Sequence, residues 1–155
     1  MKVQSKNESG LILENQFVRY QFNDNGTLKV AYDKEIKLNV LKNDGNVLSL
    51  YEDRPLNWDA WDIDFYYRES LLETASVRGI NKVVNGNVCS ALEISYIIGN
   101  SKIDQKITLA NDSKRLDFNT TVDWSEKHKM LRVHFPTIIT VSYTHLTLPT
   151  TDGVG

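Results

Sequence analysis

The stretch RLDFNTTVDW, residues 115–124, decides the fold class of this chain because its residues alternate strictly along the sequence. One set of alternate positions holds apolar residues and one threonine: Leu116, Phe118, Thr120, Val122 and Trp124. The positions between them are polar: Asp117, Asn119, Thr121 and Asp123. A period of two predicts a β-strand with one buried face and one solvated face.

Other stretches on both sides of this strand indicate more antiparallel pairing. FVRYQF and TLKVAYDK flank the turn sequence NDNG, which predicts a hairpin over residues 15–34. A second hairpin is predicted around GNS, residues 99–101, between ALEISYII and KIDQKITLA. NVLSLYED and KMLRVHF predict single strands. Many short strands joined by close turns favour an all-β fold, an antiparallel sandwich or barrel.

The region between residues 66 and 88 is harder to assign from its pattern. ETASVRGI and NKVVNGNV are predicted to be two strands, with Asn85-Gly86 as a hairpin turn. YYRESLLETA has room for a turn or two of helix, and no other stretch has a helical period with capping residues.

Size, charge and composition exclude several classes of protein. The chain has 155 residues, enough for one domain, and a net charge of −2. It lacks the basic face of a general nucleic-acid or membrane-surface binder, and it has no apolar run that could cross a membrane. Cys89 is the only cysteine and the N-terminus has no apolar signal core. We therefore predict a reducing, cytoplasmic location.

The last part of the sequence differs in composition from the rest. VSYTHLTLPT, residues 141–150, is rich in threonine and can be read as GTC TCT TAT ACA CAT CTG ACG CTG CCG ACG. That string resembles the transposase adapter of sequencing libraries, in frame. We therefore predict that residues 141–155 are a translated artefact and that the native domain continues beyond 140. A natural threonine-rich strand is the alternative.

The sequence contains no established catalytic or metal-binding motif. Outside the tail, the histidines are His128 and His134, and neither lies in an H-x-D or HExxH pattern. We interpret them as a surface residue near a strand start and a residue on the outer face of a strand. There is no G-x-S-x-G motif or phosphate loop, and Cys89 is expected to be a small core residue. No residue is therefore predicted to be catalytic or to bind a metal.

One stretch does carry a chemical signal, NWDAWDIDFYY at residues 57–67. Aromatic faces stack on sugar rings, and carboxylates accept hydrogen bonds from sugar hydroxyls, so the stretch is typical of a carbohydrate-binding surface. Its predicted site residues are Trp58, Asp59, Trp61, Asp62 and Asp64. Composition alone favours the other interpretation, a structural loop whose rings plug the end of a sandwich. A calcium site is a third, although the order of residues is not that of an EF-hand loop.

Three blocks, taken together, resemble one enzyme family. LENQFVRYQFNDNGTLKVAYDKE, GNVLSLYEDRPLNWDAWDID and HKMLRVHFP follow one another with the order and spacing of the C-terminal β-sandwich region of glycoside hydrolase family 38 α-mannosidases, most closely the bacterial and cytosolic branch. The central block is the most specific. The resemblance covers residues 11–140 and leaves residues 1–10 as a linker or a miscalled start.

The resemblance implies a fold and a parent enzyme. The fold would be an incomplete galactose-mutarotase-like supersandwich. The parent would hydrolyse terminal α-mannosides with retention, using zinc in an N-terminal barrel that is followed by a helical bundle. None of that barrel matches this sequence, so no catalytic or zinc-binding residue is transferred to it. Trp58, Asp59, Trp61, Asp62 and Asp64 would line the interface with the barrel or the rim of the substrate site.

Two other functions are compatible with the sequence. A stand-alone carbohydrate-binding or interaction module would have the same fold class. A mutarotase-like enzyme would need a histidine and a carboxylate paired in a cleft, which His128 and His134 do not obviously supply. If the chain is a fragment, its partners would be the missing domains and an α-mannoside. We then expect it to be inactive and poorly soluble alone, because rings and strand edges would be uncovered.

Overall fold

The computed structural model of the chain describes residues 11–55, 63 and 65–139. This part forms eleven strands and one short 3-10 helix, Phe65–Glu69. The strands are β1 Leu11–Glu14, β2 Val18–Phe22, β3 Leu28–Asp33, β4 Leu38–Asn39, β5 Val47–Glu52, β6 Leu71–Thr74, β7 Ser76–Asn85, β8 Cys89–Ile98, β9 Ser101–Ala110, β10 Leu116–Asp123 and β11 Lys129–His134. No helix within these ranges is long and apolar enough to cross a membrane.

The strands form three antiparallel sheets around one core. The N-terminal sheet has the order β1-β2-β3-β4, the long-stranded sheet β10-β9-β8-β7, and the three-stranded sheet β11-β5-β6. All three contribute to a single cluster of buried side chains, which includes Leu13, Phe22, Leu50, Leu92, Ile103 and Ile107. An all-β antiparallel sandwich was predicted from the sequence, and this arrangement confirms it.

The two predicted hairpins form where their turn sequences indicate. Strands β2 and β3 pair on either side of the Asn23–Gly26 turn, and β8 and β9 pair around Gly99. The turn needs glycine at position 26, where φ is +78°. A Cβ atom there would also lie 2.5 Å from the hydroxyl oxygen of Tyr96. The first hairpin is therefore shaped to fit the buried face of β8.

Two predictions between residues 66 and 88 were wrong in detail. ETASVRGI and NKVVNGNV do not form two strands, because Ser76–Asn85 is one continuous strand that pairs with β8 over its whole length. The predicted helical stretch holds only the 3-10 helix, and Leu71–Thr74 pairs with β5 instead. The secondary structure of both segments depends on the strand with which each one pairs. The local sequence pattern does not show which strand that is. The turn after Asn85 is confirmed.

The N-terminal sheet contains two strands that pattern did not indicate, β1 and β4. Both are short, and both lie at the edges of that sheet. Leu11–Glu14 pairs residue by residue with β2, and Leu38–Asn39 pairs with the end of β3. Strands of two to four residues are too brief for an alternating pattern to be recognised.

The alternating stretch that indicated the fold class forms β10, but its apolar face is only partly covered. Leu116 and Phe118 pack against the core, whereas Val122 is 39% exposed and Trp124 is 40% exposed. The predicted buried face is therefore covered at Leu116 and Phe118 but not at Val122 and Trp124. Strand β10 ends the long-stranded sheet, so no further strand shelters its far end in the described part of the chain.

A buried polar network joins the β2–β3 turn and the residue before β5 to the long-stranded sheet. The Asn46 side-chain amide donates to Gln105 Oε1 at 2.8 Å and to the Gly26 carbonyl at 3.2 Å. Gln105 donates back to Asn46 Oδ1 and also to the Thr120 hydroxyl, both at 3.2 Å. Tyr96 donates to the Gly26 carbonyl at 3.0 Å, and burial raises its pKa. Because the members satisfy one another, the core tolerates these polar groups.

A surface cluster joins the N-terminal sheet to the loop before β10. Lys114 Nζ donates to Asp33 Oδ2 at 2.9 Å and also to Glu35. The Lys114 backbone carbonyl accepts a hydrogen bond from the Tyr20 hydroxyl at 2.6 Å. The hydrogen bond from Lys114 is the main reason that the pKa of Asp33 lies below its ordinary value of 3.8.

We predict that Lys114→Met will raise the pKa of Asp33 towards its ordinary value. Since the folded-state pKa is depressed, the contribution of Asp33 to stability is present above its unfolded pKa and lost as pH falls through the folded value. A carbon-detected NMR titration of the Asp33 carboxyl measures the shift. Stability at pH 7 should change little because the pair is exposed. An unchanged Asp33 titration would show that Lys114 is not the cause.

Candidate functional site on the three-stranded sheet

The five residues predicted for the site, Trp58, Asp59, Trp61, Asp62 and Asp64, lie outside the residues that the structure describes. The structure does show what precedes and follows them. The chain enters that stretch from β5 and leaves it through the 3-10 helix, Phe65–Glu69. Glu52 and Ser70 are joined by a backbone hydrogen bond of 3.0 Å. The chain segments on either side of residues 57–67, called the aromatic-acidic stretch below, therefore meet at one place on the three-stranded sheet.

An aromatic cluster occupies the outer face of this sheet, beside the stretch. The ring of Tyr51 meets the ring of Tyr67 edge-on, with centroids 5.6 Å apart. The Tyr51 hydroxyl lies 3.1 Å from Nε2 of His134. The Arg132 guanidinium carbon lies 4.7 Å from the centre of the Tyr67 ring, a cation–π contact. These four residues are called the Tyr51 cluster below.

Strand register explains how the Tyr51 cluster is assembled. In the antiparallel pair β5–β11, Tyr51 faces Met130, Ser49 faces Arg132 and Val47 faces His134. Directly paired residues share a face, and every second residue returns to it. Tyr51, Arg132 and His134 therefore lie on the face opposite the core residues Leu48 and Leu50. The 3-10 helix then adds Tyr67.

A small polar cavity of about 170 Å³ lies next to the cluster. Its lining residues are Glu52, Asp53, Arg54, Tyr66, Tyr67 and Ser70. Ser70 holds the wall in place, since its hydroxyl donates to the Glu52 and Tyr67 carbonyls at 3.1 and 2.7 Å. The Arg54 guanidinium lies 2.7 Å from the Glu52 carboxylate.

This arrangement has groups suited to binding a hydroxylated ligand. Tyrosine hydroxyls, an arginine and two carboxylates offer hydrogen bonds to a hydroxylated ligand, and the rings offer apolar faces. The Glu52 carboxylate is occupied by Arg54. Across the described ranges, no three histidine, cysteine, aspartate or glutamate side chains are close enough to hold a metal ion. The described residues therefore do not fit the zinc ion that the family resemblance implies.

The two histidines are placed as their sequence context predicted. His128 lies at the surface just before β11, at a positive φ of 51°, and its carbonyl accepts a hydrogen bond from the Asp53 amide at 2.8 Å. His134 lies on the outer face of β11. Cys89, predicted to be a core residue, is only half-buried at the start of β8. It lies beside a turn, which leaves one side of it open.

Sequence reasoning missed Tyr51, Arg132 and Tyr67 as members of one site. Alternation in KMLRVHF does place Arg132 and His134 on the same face of a strand. Nothing in the linear sequence pairs that strand with β5, which precedes it by more than seventy residues. The cluster therefore becomes visible only when the sheet is assembled.

The family profile and the similar proteins indicate the same family. The family profile described as "Glycosyl hydrolases family 38 C-terminal domain" matches residues 13–147. Alpha-mannosidase G of Dictyostelium discoideum is 32% identical over 140 aligned positions, which cover 84% of this chain and 13% of that protein. Alpha-mannosidase 2C1 of Mus musculus is 30% identical over 170 positions, covering 99% of this chain and 16% of that protein.

A third relative extends the comparison to fungi. Alpha-mannosidase of Saccharomyces cerevisiae is 31% identical over 119 positions, which cover 71% of this chain and 11% of that protein. The chain thus spans between 11% and 16% of the length of these three relatives. The profile match extends over most of the sandwich and includes both β5 and β11, which carry the Tyr51 cluster. The chain therefore belongs to glycosyl hydrolase family 38, as a C-terminal domain of that family.

Proposed function

We propose that this chain is the accessory β-sandwich of a larger, zinc-dependent retaining α-mannosidase that hydrolyses terminal α-mannosides in the cytoplasm. The observation that carries the proposal is the family match over residues 13–147, together with three relatives named as alpha-mannosidases. Zinc would be held by another domain of the parent protein. The sandwich would then support the active site without taking part in the chemical step.

The Tyr51 cluster is the proposed contact between the sandwich and the rest of the enzyme. It anchors the 3-10 helix beside β5, which brings the two ends of the aromatic-acidic stretch together. Trp58, Asp59, Trp61, Asp62 and Asp64 would pack against the catalytic barrel or form the rim of its mannoside site. Aromatic and acidic side chains suit both roles, because rings stack on sugars and carboxylates accept hydrogen bonds from hydroxyls.

The decisive experiment compares this chain with the longer reading frame of its source DNA. Single long reads would extend from well upstream of Met1 to well past codon 141, and the uninterrupted frame would be expressed beside the chain alone. We predict that the longer protein releases nitrophenol from p-nitrophenyl α-mannoside and loses this activity with a zinc chelator. The 155-residue chain should show none.

The same experiment tests the alternative, a stand-alone carbohydrate-binding module. If Met1 follows a ribosome-binding site and the sequence VSYTHLTLPTTDGVG is genomic, the enzyme proposal fails for this chain. Mannoside binding by the chain alone, lost in Tyr67→Ala, would then favour the module. An Asp62→Ala change in the longer enzyme that altered neither activity nor melting temperature would contradict the role assigned to the aromatic-acidic stretch.

A further inference from the structure

The outer face of the long-stranded sheet contains a polar groove. Side chains of β9 alternate between the core and this face, which presents Lys102, Asp104 and Lys106 to solvent. Two cavities of about 390 and 340 Å³ lie on the face, and both are lined by Ser95 and Asp104. Because the cavities share these two residues, they are the two ends of one depression, called the outer groove below. Each end has the volume of a small-molecule site.

Strand register explains the shape of the outer groove. Directly paired residues share a face, so one row of side chains crosses all four strands of the sheet. That row consists of Gly79, Ser95, Asp104 and Thr121. The next row on the same face consists of Asn81, Glu93, Lys106 and Asn119. The first row has the shorter side chains, and the groove follows it.

Gly79 leaves the larger end of the groove without a side chain on β7. A Cβ atom at this position would have no other atom of the described chain within 4 Å, so crowding does not require a glycine. Its φ does not require one either, because it lies outside the positive range. The register shifts between Val77 and Gly79, which makes Arg78 the extra residue of a bulge that lines the groove. The glycine and the bulge therefore leave space beside an arginine.

The larger end of the groove has an excess of positive charge. Arg78 and Lys102 line it, and neither forms an ion pair or a side-chain hydrogen bond with another described residue. Asp123 lies opposite Lys102 in the sheet, but no ion pair joins the two. Asp104 is the carboxylate at this end, and it accepts a hydrogen bond from the Ser95 hydroxyl. Two cations are therefore available to an anionic group, against one carboxylate.

At the smaller end of the groove, opposite charges are close to each other. Lys106 Nζ lies 3.8 Å from Glu93 Oε1. Asn81, Asn119 and Thr121 line the same end. Their amide and hydroxyl groups both donate and accept hydrogen bonds, as sugar hydroxyls do. This end is therefore suited to the hydroxyl groups of a sugar.

We propose that the outer groove binds a monosaccharide phosphate. The phosphate would lie between Arg78 and Lys102, and the sugar hydroxyls would contact Asp104, Asn81 and Asn119. A guanidinium group matches two phosphate oxygens at once, whereas an ammonium group acts as a compact charge. The site lies on a different sheet from the candidate site described above. It goes beyond the proposed function and does not depend on hydrolysis of α-mannosides.

Titration of the 155-residue chain with mannose 6-phosphate tests the proposal. The amide NMR signals of Gly79 and Ser95 report binding in the groove. We expect a dissociation constant of about 1 mM or lower, at least about tenfold below those of mannose, inorganic phosphate and glucuronate. Each of these control ligands lacks one feature: the charge, the sugar or the phosphate. If the chain alone aggregates, calorimetry on the longer protein uses the same ligands.

Two variants test the cations. Arg78→Met and Lys102→Met should each weaken the binding of mannose 6-phosphate by about fivefold or more. Both side chains are exposed and unpaired among the described residues, so the melting temperature should change little. Lys29→Met is the matched control, because it removes an exposed lysine from β3 in the N-terminal sheet. It should leave the affinity unchanged.

Two variants at Gly79 test the shape of the groove. Gly79→Gln places a neutral side chain in the space that the ligand would occupy, and should weaken binding by at least about tenfold. The fold should not be destabilised, because a Cβ atom there meets no other atom of the described chain within 4 Å. Gly79→Ala adds only a methyl group and should bind within about threefold of the unchanged chain.

Each result supports or overturns the proposal. Selective binding of mannose 6-phosphate that Arg78→Met, Lys102→Met and Gly79→Gln each weaken supports it, whether or not the parent protein is an α-mannosidase. The absence of binding up to about 10 mM overturns it. Equally tight binding of any control ligand also overturns it, because the combination of sugar and phosphate would then not be recognised. Binding that the three variants leave unchanged overturns it as well, because the ligand would lie elsewhere.

Discussion

Replacing Asn46 with alanine is expected to lower the free energy of unfolding by about 3–5 kcal/mol. Asn46 is 1% exposed, and its side chain is the member of the buried polar network that contacts Gly26, Tyr96 and Gln105. Its removal leaves the Gln105 amide without a partner on that side. Alanine is also disfavoured at the positive φ of 53° that Asn46 adopts. A domain of this size has about 5–15 kcal/mol in total.

Two further variants separate the causes of this loss. Asn46→Gly removes the same hydrogen bonds but accepts a positive φ, so it should be less damaging than alanine by about 1–2 kcal/mol. Lys37→Gly relieves a positive φ of 56° at an exposed position and should not destabilise the fold. Urea unfolding with an unchanged slope would measure all three. An Asn46→Ala loss below about 1 kcal/mol would show that the network is not important for stability.

The second large effect is predicted at Tyr51. Tyr51→Ala is expected to lower the free energy of unfolding by about 3–5 kcal/mol, because a buried aromatic ring is removed from between His134 and Tyr67. The 3-10 helix would lose its main ring contact with β5. Amide hydrogen exchange should then become faster at Glu52, whose N–H donates to the Ser70 carbonyl, and at Ser70, whose N–H donates to the Tyr67 carbonyl at the end of the helix.

Tyr51→Phe is the matched control for this change. It keeps the ring and its edge-on contact with Tyr67 but removes the hydroxyl that lies 3.1 Å from His134. We expect a loss of only about 0.5–1.5 kcal/mol and no faster exchange at Ser70. Equal losses in Tyr51→Phe and Tyr51→Ala would mean that the hydrogen bond, and not the ring packing, holds the cluster together. Full-length enzyme carrying Tyr51→Ala should also lose activity if the cluster supports the active site.

These two sites have different roles in the molecule. The Asn46 network lies inside the sandwich and joins the β2–β3 turn to the long-stranded sheet, so its effect should be on folding alone. The Tyr51 cluster lies on an outer face, next to the only stretch with a carbohydrate signal in its sequence. Comparing stability with activity in the longer enzyme would therefore distinguish a folding residue from one that supports a substrate site.

Short-range pattern predicted much of the fold. Alternation in β8, β9 and β10 and the Asn-Gly turn before β3 rest on interactions between near neighbours, which the linear order of residues displays. Leu11–Glu14 and Leu38–Asn39 were missed because such short strands depend on the partner that pairs with them. Leu71 and Leu72 were not predicted to be part of a strand for the same reason, since their strand forms by pairing with β5.

The candidate site was likewise determined partly by the sequence and partly by the tertiary structure. The sequence alone determined the all-β fold class, the family resemblance and the aromatic-acidic stretch, because each depends on residue types in order. Only the tertiary structure decided that Tyr51, Tyr67, Arg132 and His134 meet, because their contact requires β5 to pair with a strand far along the chain. It also decided that the apolar face of β10 stays partly open. How deeply a strand is buried depends on whether it lies at the edge of its sheet. Alternation within one strand does not show whether another strand lies beside it.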